Sequence, residues 1–168
     1  MKTTKAKKHN KNHRASAAQF FVAAELCRRG YAAVVTMGNC PNTDVLCSDE
    51  AGTKFVHIQV KTFRPEDKDC AVGQKAERNY GPNFFWVLAG IPTMSSKQGF
   101  SYYIIPSATM VKNVSESHEK WFQTPGKKGQ HHSVTSFRTV QIPPRVSENG
   151  WSIGSYLDKW DLIADKLA

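Results

Sequence analysis

Apolar residues fall in short blocks divided by polar, glycine- and proline-rich punctuation. The block "SAAQFFVAAELCRRG" (16–30) predicts a helix: Ser16 stands as an N-cap, alanine dominates, and Arg28-Arg29-Gly30 forms a cationic last turn with a glycine stop. Its expected buried stripe is Ala17, Phe20, Phe21, Ala24 and Cys27. "YAAVVTM" (31–37) is a β-rich run closed by the turn residues "GNCPN". "DVLCS" is a short strand, "DEAG" a hairpin turn and "KFVHIQVKTF" the returning strand. Residues 64–83 are polar, contain proline and glycine, and read as a long loop. "FFWVLAG" (84–90) is nearly continuous in apolar character, the pattern of a central strand buried on both faces.

The remainder continues the alternation. "FSYYIIP" (100–106) is another strand, and "SATMVKNVSESHEKWF" a helix with Ser107 as cap and Met110, Val111, Val114 and Trp121 as apolar positions. An exposed basic loop, "QTPGKKGQHHS", precedes a last strand in "VTSFRTVQIP". "GSYLDKWDLIADKLA" is a closing helix with Leu157, Trp160, Leu162 and Ile163 inward. No internal repeat is present. The order predicts an α/β or α+β sandwich around one sheet, a single domain over residues 15–168 behind a disordered basic arm, residues 1–14.

Composition narrows the class. A chain of 168 residues, 40% hydrophobic, buries roughly two-thirds of its unfolded surface without disulfides or metal. No segment approaches 18 consecutive apolar residues, so no membrane span is expected. The basic start is not followed by a signal core, and Cys27, Cys40, Cys47 and Cys70 show neither CxxC pairing nor zinc-finger spacing. Reduced thiols of a cytoplasmic protein are the expectation.

Charge is more informative. The net charge is +9 and the pI about 9.5, which points to a polyanionic partner. Lys2, Lys5, Lys7, Lys8, Lys11 and Arg14 all precede the first carboxylate, Glu25, and supply most of the excess. Such an arm binds phosphates without reading sequence, and a membrane surface fits it less well because no apolar anchors are interleaved. Lys127 and Lys128, with His131 and His132, form a second basic loop suited to phosphate contact. DNA is the expected partner, with RNA possible.

The candidate chemistry sits in the hairpin of residues 42–63. Side chains alternate along a strand, so Val56, Ile58 and Val60 share the core face while Phe55, His57, Gln59 and Lys61 share the other. A short strand, a tight turn and a returning strand place Asp44 beside Gln59 or Lys61. A carboxylate and an amide oxygen are hard ligands suited to Mg²⁺ or Mn²⁺. Such an ion polarises a phosphodiester and acidifies water, and a lysine two residues on can position the nucleophile or neutralise the phosphate. His57 shares the polar face and is a weaker candidate for substrate contact.

These residues resemble a known family. "PNTD" (41–44) with "IQVKT" (58–62) is similar to the core of the PD-(D/E)XK, restriction-endonuclease-like nucleases in a PD-QXK variant, and "AAELCRRGY" is similar to the family's opening helix. The resemblance covers about residues 15–106. It implies a central mixed β-sheet flanked by helices, an α-β-β-β core, and Mg²⁺- or Mn²⁺-dependent endonuclease activity on DNA. By this match Asp44 binds metal, Gln59 stands where glutamate is commoner, and Lys61 is the catalytic lysine. Pro41 stands three residues before Asp44 and not adjacent to it. The family's helix contributes a glutamate. Glu25 is the helix's only acid and takes that role here, although some relatives carry the glutamate about two turns earlier, where this chain has Gln19. Cutting both strands needs two sites, which a homodimer would supply. A module of the same fold that binds nucleic acid without cutting is the alternative.

Overall fold

A computed structural model describes residues 11–37 and 40–168. Five strands form one mixed sheet in the order β1-β2-β3-β5-β6: β1 (Ala32–Val35), β2 (Val45–Ser48), β3 (Phe55–Phe63), β5 (Phe84–Gly90) and β6 (Ser101–Pro106). The first three make an antiparallel meander. β5 then joins β3 in parallel, with Gln59 opposite Trp86 and Lys61 opposite Leu88, and β6 returns antiparallel.

Every residue of β5 is buried, because helices cover both sheet faces. On one face α1 (Lys11–Arg28) and α3 (Asp161–Leu167) cover Val56, Ile58, Val60, Phe85, Val87 and Ile104. On the other, α2 (Ser107–Gln123) covers Phe63, Phe84, Trp86 and Leu88. This is the mixed α/β sheet that the strand pattern predicts.

Several local expectations are corrected. The segment 64–83 is not a plain loop: it holds β4 (Asp69–Ala71) and a 3-10 turn, Gln74–Glu77. β4 pairs with β7 (Thr139–Gln141) in a small separate sheet, so the last strand does not extend the main one. Three residues, Asp69-Cys70-Ala71, are too short a pattern to read as a strand, since the stability of β4 comes from a partner seventy positions away. The closing helix is only α3, preceded by a 3-10 turn (Gly154–Tyr156) and by Asp158 at φ 51°, and Leu157 is exposed. Ser107 does not cap α2: its hydroxyl accepts the Tyr80 N–H at 2.9 Å.

The phase of α1 also differs. Ala18, Val22, Ala23 and Leu26 are buried, whereas Phe20 and Phe21 are exposed. Apolar residues lie all round this helix, so spacing alone selects no face. Small Ala18 and Ala23 let the helix approach the sheet closely, which the phenylalanines would not. The helix is already formed at Lys11, so residues 11–14 are helical and Ser16 lies inside it. Lys2, Lys5, Lys7 and Lys8 lie outside the described residues.

Candidate active site

The site forms where β2 leaves β3. Asp44 directly precedes β2, and its own N–H donates to the Ile58 carbonyl at 2.8 Å, a last backbone link between the two chains. Beyond that point the Val60 N–H of β3 has no β2 carbonyl opposite. The Asp44 carboxylate takes its place, accepting Val60 N–H at 2.7 Å through Oδ2. The backbone here is fixed from the edge strand as well: Thr36 N–H donates to the Asp44 carbonyl at 3.0 Å, and the Thr36 hydroxyl to the Thr43 carbonyl at 2.5 Å. Asn42 turns the chain into this position at φ 60°, a conformation that asparagine tolerates better than most residues.

Two amides complete the cluster. Gln19 of α1 donates through Nε2 to Asp44 Oδ1 at 3.0 Å, and Gln59 of β3 donates through Nε2 to Asp44 Oδ2. Gln59 is 8% exposed, so its amide is committed to this contact rather than to water. Lys61, two residues on, is half-buried and acts on Asp44 through its charge. Asp44 and Gln59 therefore touch, while Lys61 reaches Asp44 through its charge.

Electrostatics at Asp44 are opposed. Burial pushes its carboxyl above the ordinary value, while the Val60 N–H, the charge of Lys61, the Gln19 amide and the charge of Lys75 pull it down. No motif or spacing in the sequence singles out Lys75. It sits in the 3-10 turn Gln74–Glu77, which a part-buried ion pair anchors, Arg138 Nε to Glu77 Oε1 at 2.5 Å. A lysine in an apparently unstructured polar segment carries no signal of its own. Only the fold of 64–83 brings it near Asp44.

Glu25 requires a correction: its carboxylate binds Arg28 and Arg29, each at 2.7 Å, and not the Asp44 cluster. These pairs hold it below the ordinary carboxylate range, the Arg28 hydrogen bond being the main cause. Helix geometry explains the outcome. Glu25 lies six residues past Gln19, about 240° around the helix and about 9 Å along it. Gln19 is thus the helical residue that reaches Asp44.

The remaining candidates separate. His57 is exposed and its Nδ1 lies 3.2 Å from the Thr43 hydroxyl, one residue from Asp44 but outside the cluster. Arg14, in the first turns of α1, is half-buried, with an Nε that has no hydrogen-bond partner. Its charge and that of Lys61 both act on the buried Cys70. Lys11 is exposed at the described start of α1. Lys127 and Lys128 are exposed in the loop after α2, which a stack of Trp121 on His132, 3.9 Å between ring centres, ties back to the helix. The four cysteines are free thiols, and burial pushes Cys47 and Cys70 up to about 12. Among the described residues no helix is long and apolar enough to cross a membrane.

The donor set suits a hard divalent cation in kind and is sparse in charge. Asp44 supplies one carboxylate, and Gln19 and Gln59 each supply a carboxamide oxygen after a half-turn of the terminal torsion. Mg²⁺ and Mn²⁺ take oxygen donors, and Mg²⁺ keeps several waters, so few protein ligands suffice. No three of the His, Cys, Asp and Glu side chains come together among the described residues.

No protein-family model matches the chain, and no curated protein matches it. Solved structures do. A bacterial homing endonuclease, I-Ssp6803I, matches over 94% of both chains at 17% identity with a TM-score of 0.54. Hjc of Archaeoglobus fulgidus, a Holliday junction resolvase from an archaeal hyperthermophile, matches 84% of this chain and 93% of its own at 14% identity and a TM-score of 0.45. The first likeness shows the fold: the five-stranded mixed sheet between helices is the architecture this chain shares with that solved structure.

Proposed function

We propose that the chain is an endonuclease hydrolysing phosphodiester bonds in DNA with a divalent cation, Mg²⁺ or Mn²⁺. The observation that carries this reading is the convergence of Asp44, Gln59, Lys61 and Gln19 at the strand divergence of a nuclease-type fold. Asp44 and the carboxamide oxygens of Gln59 and Gln19 would hold the cation. When bound, that ion supplies Lewis-acid polarisation of the phosphodiester and acidification of water.

The chain's own groups do the rest. The Lys61 ammonium donates to the attacking water or to a non-bridging phosphate oxygen, offsetting the charge that builds up in the transition state. The Val60 N–H holds the Asp44 carboxylate from the strand backbone whichever way the two amides turn. Lys75, Arg14, Lys11 and the exposed Lys127 and Lys128 would grip flanking phosphates, together with Lys5, Lys7 and Lys8.

The experiment is plasmid nicking in Mg²⁺ or Mn²⁺, comparing wild type with Asp44→Ala and Lys61→Ala. Wild-type activity no greater than that of the variants removes the enzyme reading. A second reading, a module that binds DNA or RNA without cutting, is favoured by one observation: the site contains a single carboxylate, with both amides donating to it. DNA retention without nicking in either metal is its signature. Double-strand cleavage would require two copies of the chain, and linearisation would then rise more steeply with protein concentration than nicking does.

A further inference from the structure

The outer side of α2 carries a cavity that the Asp44 cluster does not use. It has a volume of about 420 Å³, with His118 and Trp121 of α2 on one wall and Phe137, Arg138 and Gln141 from around β7 on another. That volume lies within the range of small-ligand sites. A second hollow adjoins it at Trp121 and is lined by Lys127, Lys128 and His132.

The rings along this groove are not spent on the core. His118 and His132 both stack on Trp121, with ring centres 5.4 and 3.9 Å away. Phe137 is 61% exposed, and neither it nor Trp121 belongs to the buried clusters on the two sheet faces. Arg138 adds a fixed donor. Its side chain is 7% exposed, with Nε bonded to Glu77 and Nη1 to the Thr135 and Phe137 carbonyls. Its Nη2 has no hydrogen-bond partner among the described residues, and three bonds hold the planar fork in place. Glu77 matches the charge of Arg138, while Lys127 and Lys128 outnumber Glu148, the carboxylate on the walls of both hollows. The groove is therefore aromatic at one end and cationic at the other.

Stacking rings, a fixed N–H and unpaired cations match the parts of one nucleotide: a base face, base-edge acceptors and a phosphate. A base inside a duplex has its faces covered by its neighbours and cannot enter. We infer that this groove binds an unpaired nucleotide of a DNA strand, its base in the cavity against Trp121 and Phe137 and its phosphates on Lys127 and Lys128. This rests on the DNA-binding part of the nuclease reading and not on cleavage. It narrows the substrate to DNA with an unpaired nucleotide close to the scissile bond. The 3-10 turn Gln74–Glu77 carries both Glu77, which holds Arg138, and Lys75, whose charge reaches Asp44.

Fluorescence anisotropy on the full chain, without divalent cation, tests it with four labelled ligands of equal length. These are an oligothymidylate, an abasic oligodeoxynucleotide, a DNA duplex and an oligouridylate. The oligothymidylate should bind about tenfold or more tighter than the abasic strand, which offers phosphates alone. Phe137→Ala should weaken the oligothymidylate roughly 5- to 150-fold, the effect of losing one stacking ring, and change the abasic strand and duplex by less than about twofold. Phe137 is exposed and outside the core, so the variant keeps its fold, which circular dichroism checks. Replacing Lys127 and Lys128 together by alanine should flatten the salt dependence of oligothymidylate binding.

Equal affinity for the oligothymidylate and the abasic strand overturns the inference, as does a folded Phe137→Ala protein that binds the oligothymidylate like wild type. Tighter binding of the oligouridylate overturns the assignment to DNA. Any of these results in a chain that nicks plasmid leaves the nuclease reading standing. Base-dependent binding that Phe137→Ala abolishes, in a chain that nicks nothing, supports the inference and removes cleavage alone.

Discussion

Replacing Gln19 and Glu25 in turn separates a residue that touches the cluster from one that merely shares its helix. The Gln19 Nε2 to Asp44 Oδ1 bond is 3.0 Å long and ends on a carboxylate. A hydrogen bond to a charged group contributes about 1.5–3 kcal/mol. If that is lost wholly from the cleavage-competent state, at about 1.4 kcal/mol per decade, Gln19→Ala lowers the nicking rate by roughly 10- to 150-fold. Glu25 makes two ion pairs, but the Arg28 side chain is 70% exposed and Arg29 35%. Screened pairs of that kind contribute at most about 1 kcal/mol, so Glu25→Ala lowers the melting temperature by about 2–4 °C at most. Its nicking rate should stay within about twofold of wild type, because the side chain points about 120° away from Gln19 around the helix and lies about 9 Å further along it. The assay is single-turnover nicking of supercoiled plasmid, with circular dichroism melts of all three proteins. A folded Glu25→Ala protein without activity, beside an unimpaired Gln19→Ala protein, would refute the geometry.

Three other perturbations test different parts of the structure. Lys61→Ala should cut nicking about 100-fold or more with DNA retention little changed, whereas His57→Ala, at an exposed position whose ring bonds to Thr43, should stay near wild type in the same assay. Gly90→Ala puts a methyl group 2.3 Å from the Ser101 hydroxyl and 2.9 Å from the buried Phe63 ring. It should cost about 1–3 kcal/mol in urea unfolding, and no loss would show that this strand end is looser than described. Burial, opposed by the Val60 N–H and nearby cations, holds Asp44 above its ordinary 3.8. A carboxyl with a raised folded value contributes stability below 3.8 that is lost as pH rises through the folded value. The non-titrating Asp44→Asn protein should therefore gain on wild type as pH rises from acid to neutral, and the opposite trend in denaturant midpoints would count against a desolvated Asp44.

The hairpin and the central strand were legible because each rests on local rules. "DEAG" closes a hairpin, period-two alternation puts Gln59 and Lys61 on one face, and the unbroken run at 84–90 can only be buried on both sides. These rules sufficed to bring Asp44 next to Gln59, because a two-strand register is set within about fifteen residues. The buried face of α1 was not legible. With apolar side chains on every side, the choice between Phe20 and Val22 was made by the sheet, which accepts the helix only where Ala18 and Ala23 allow close approach. That choice of face turned Gln19 toward Asp44 and left Glu25 to Arg28 and Arg29.

By itself, then, the sequence determined a basic α/β chain with an aspartate beside an amide on one hairpin and a lysine on the same strand face, since that placement follows from strand alternation and a tight turn. The tertiary structure alone decided which helical residue joins them, that Lys75 lends its charge, and that β4 and β7 pair across seventy residues. Each of these depends on the packing of segments distant in sequence, where the relevant energy lies between elements rather than within one.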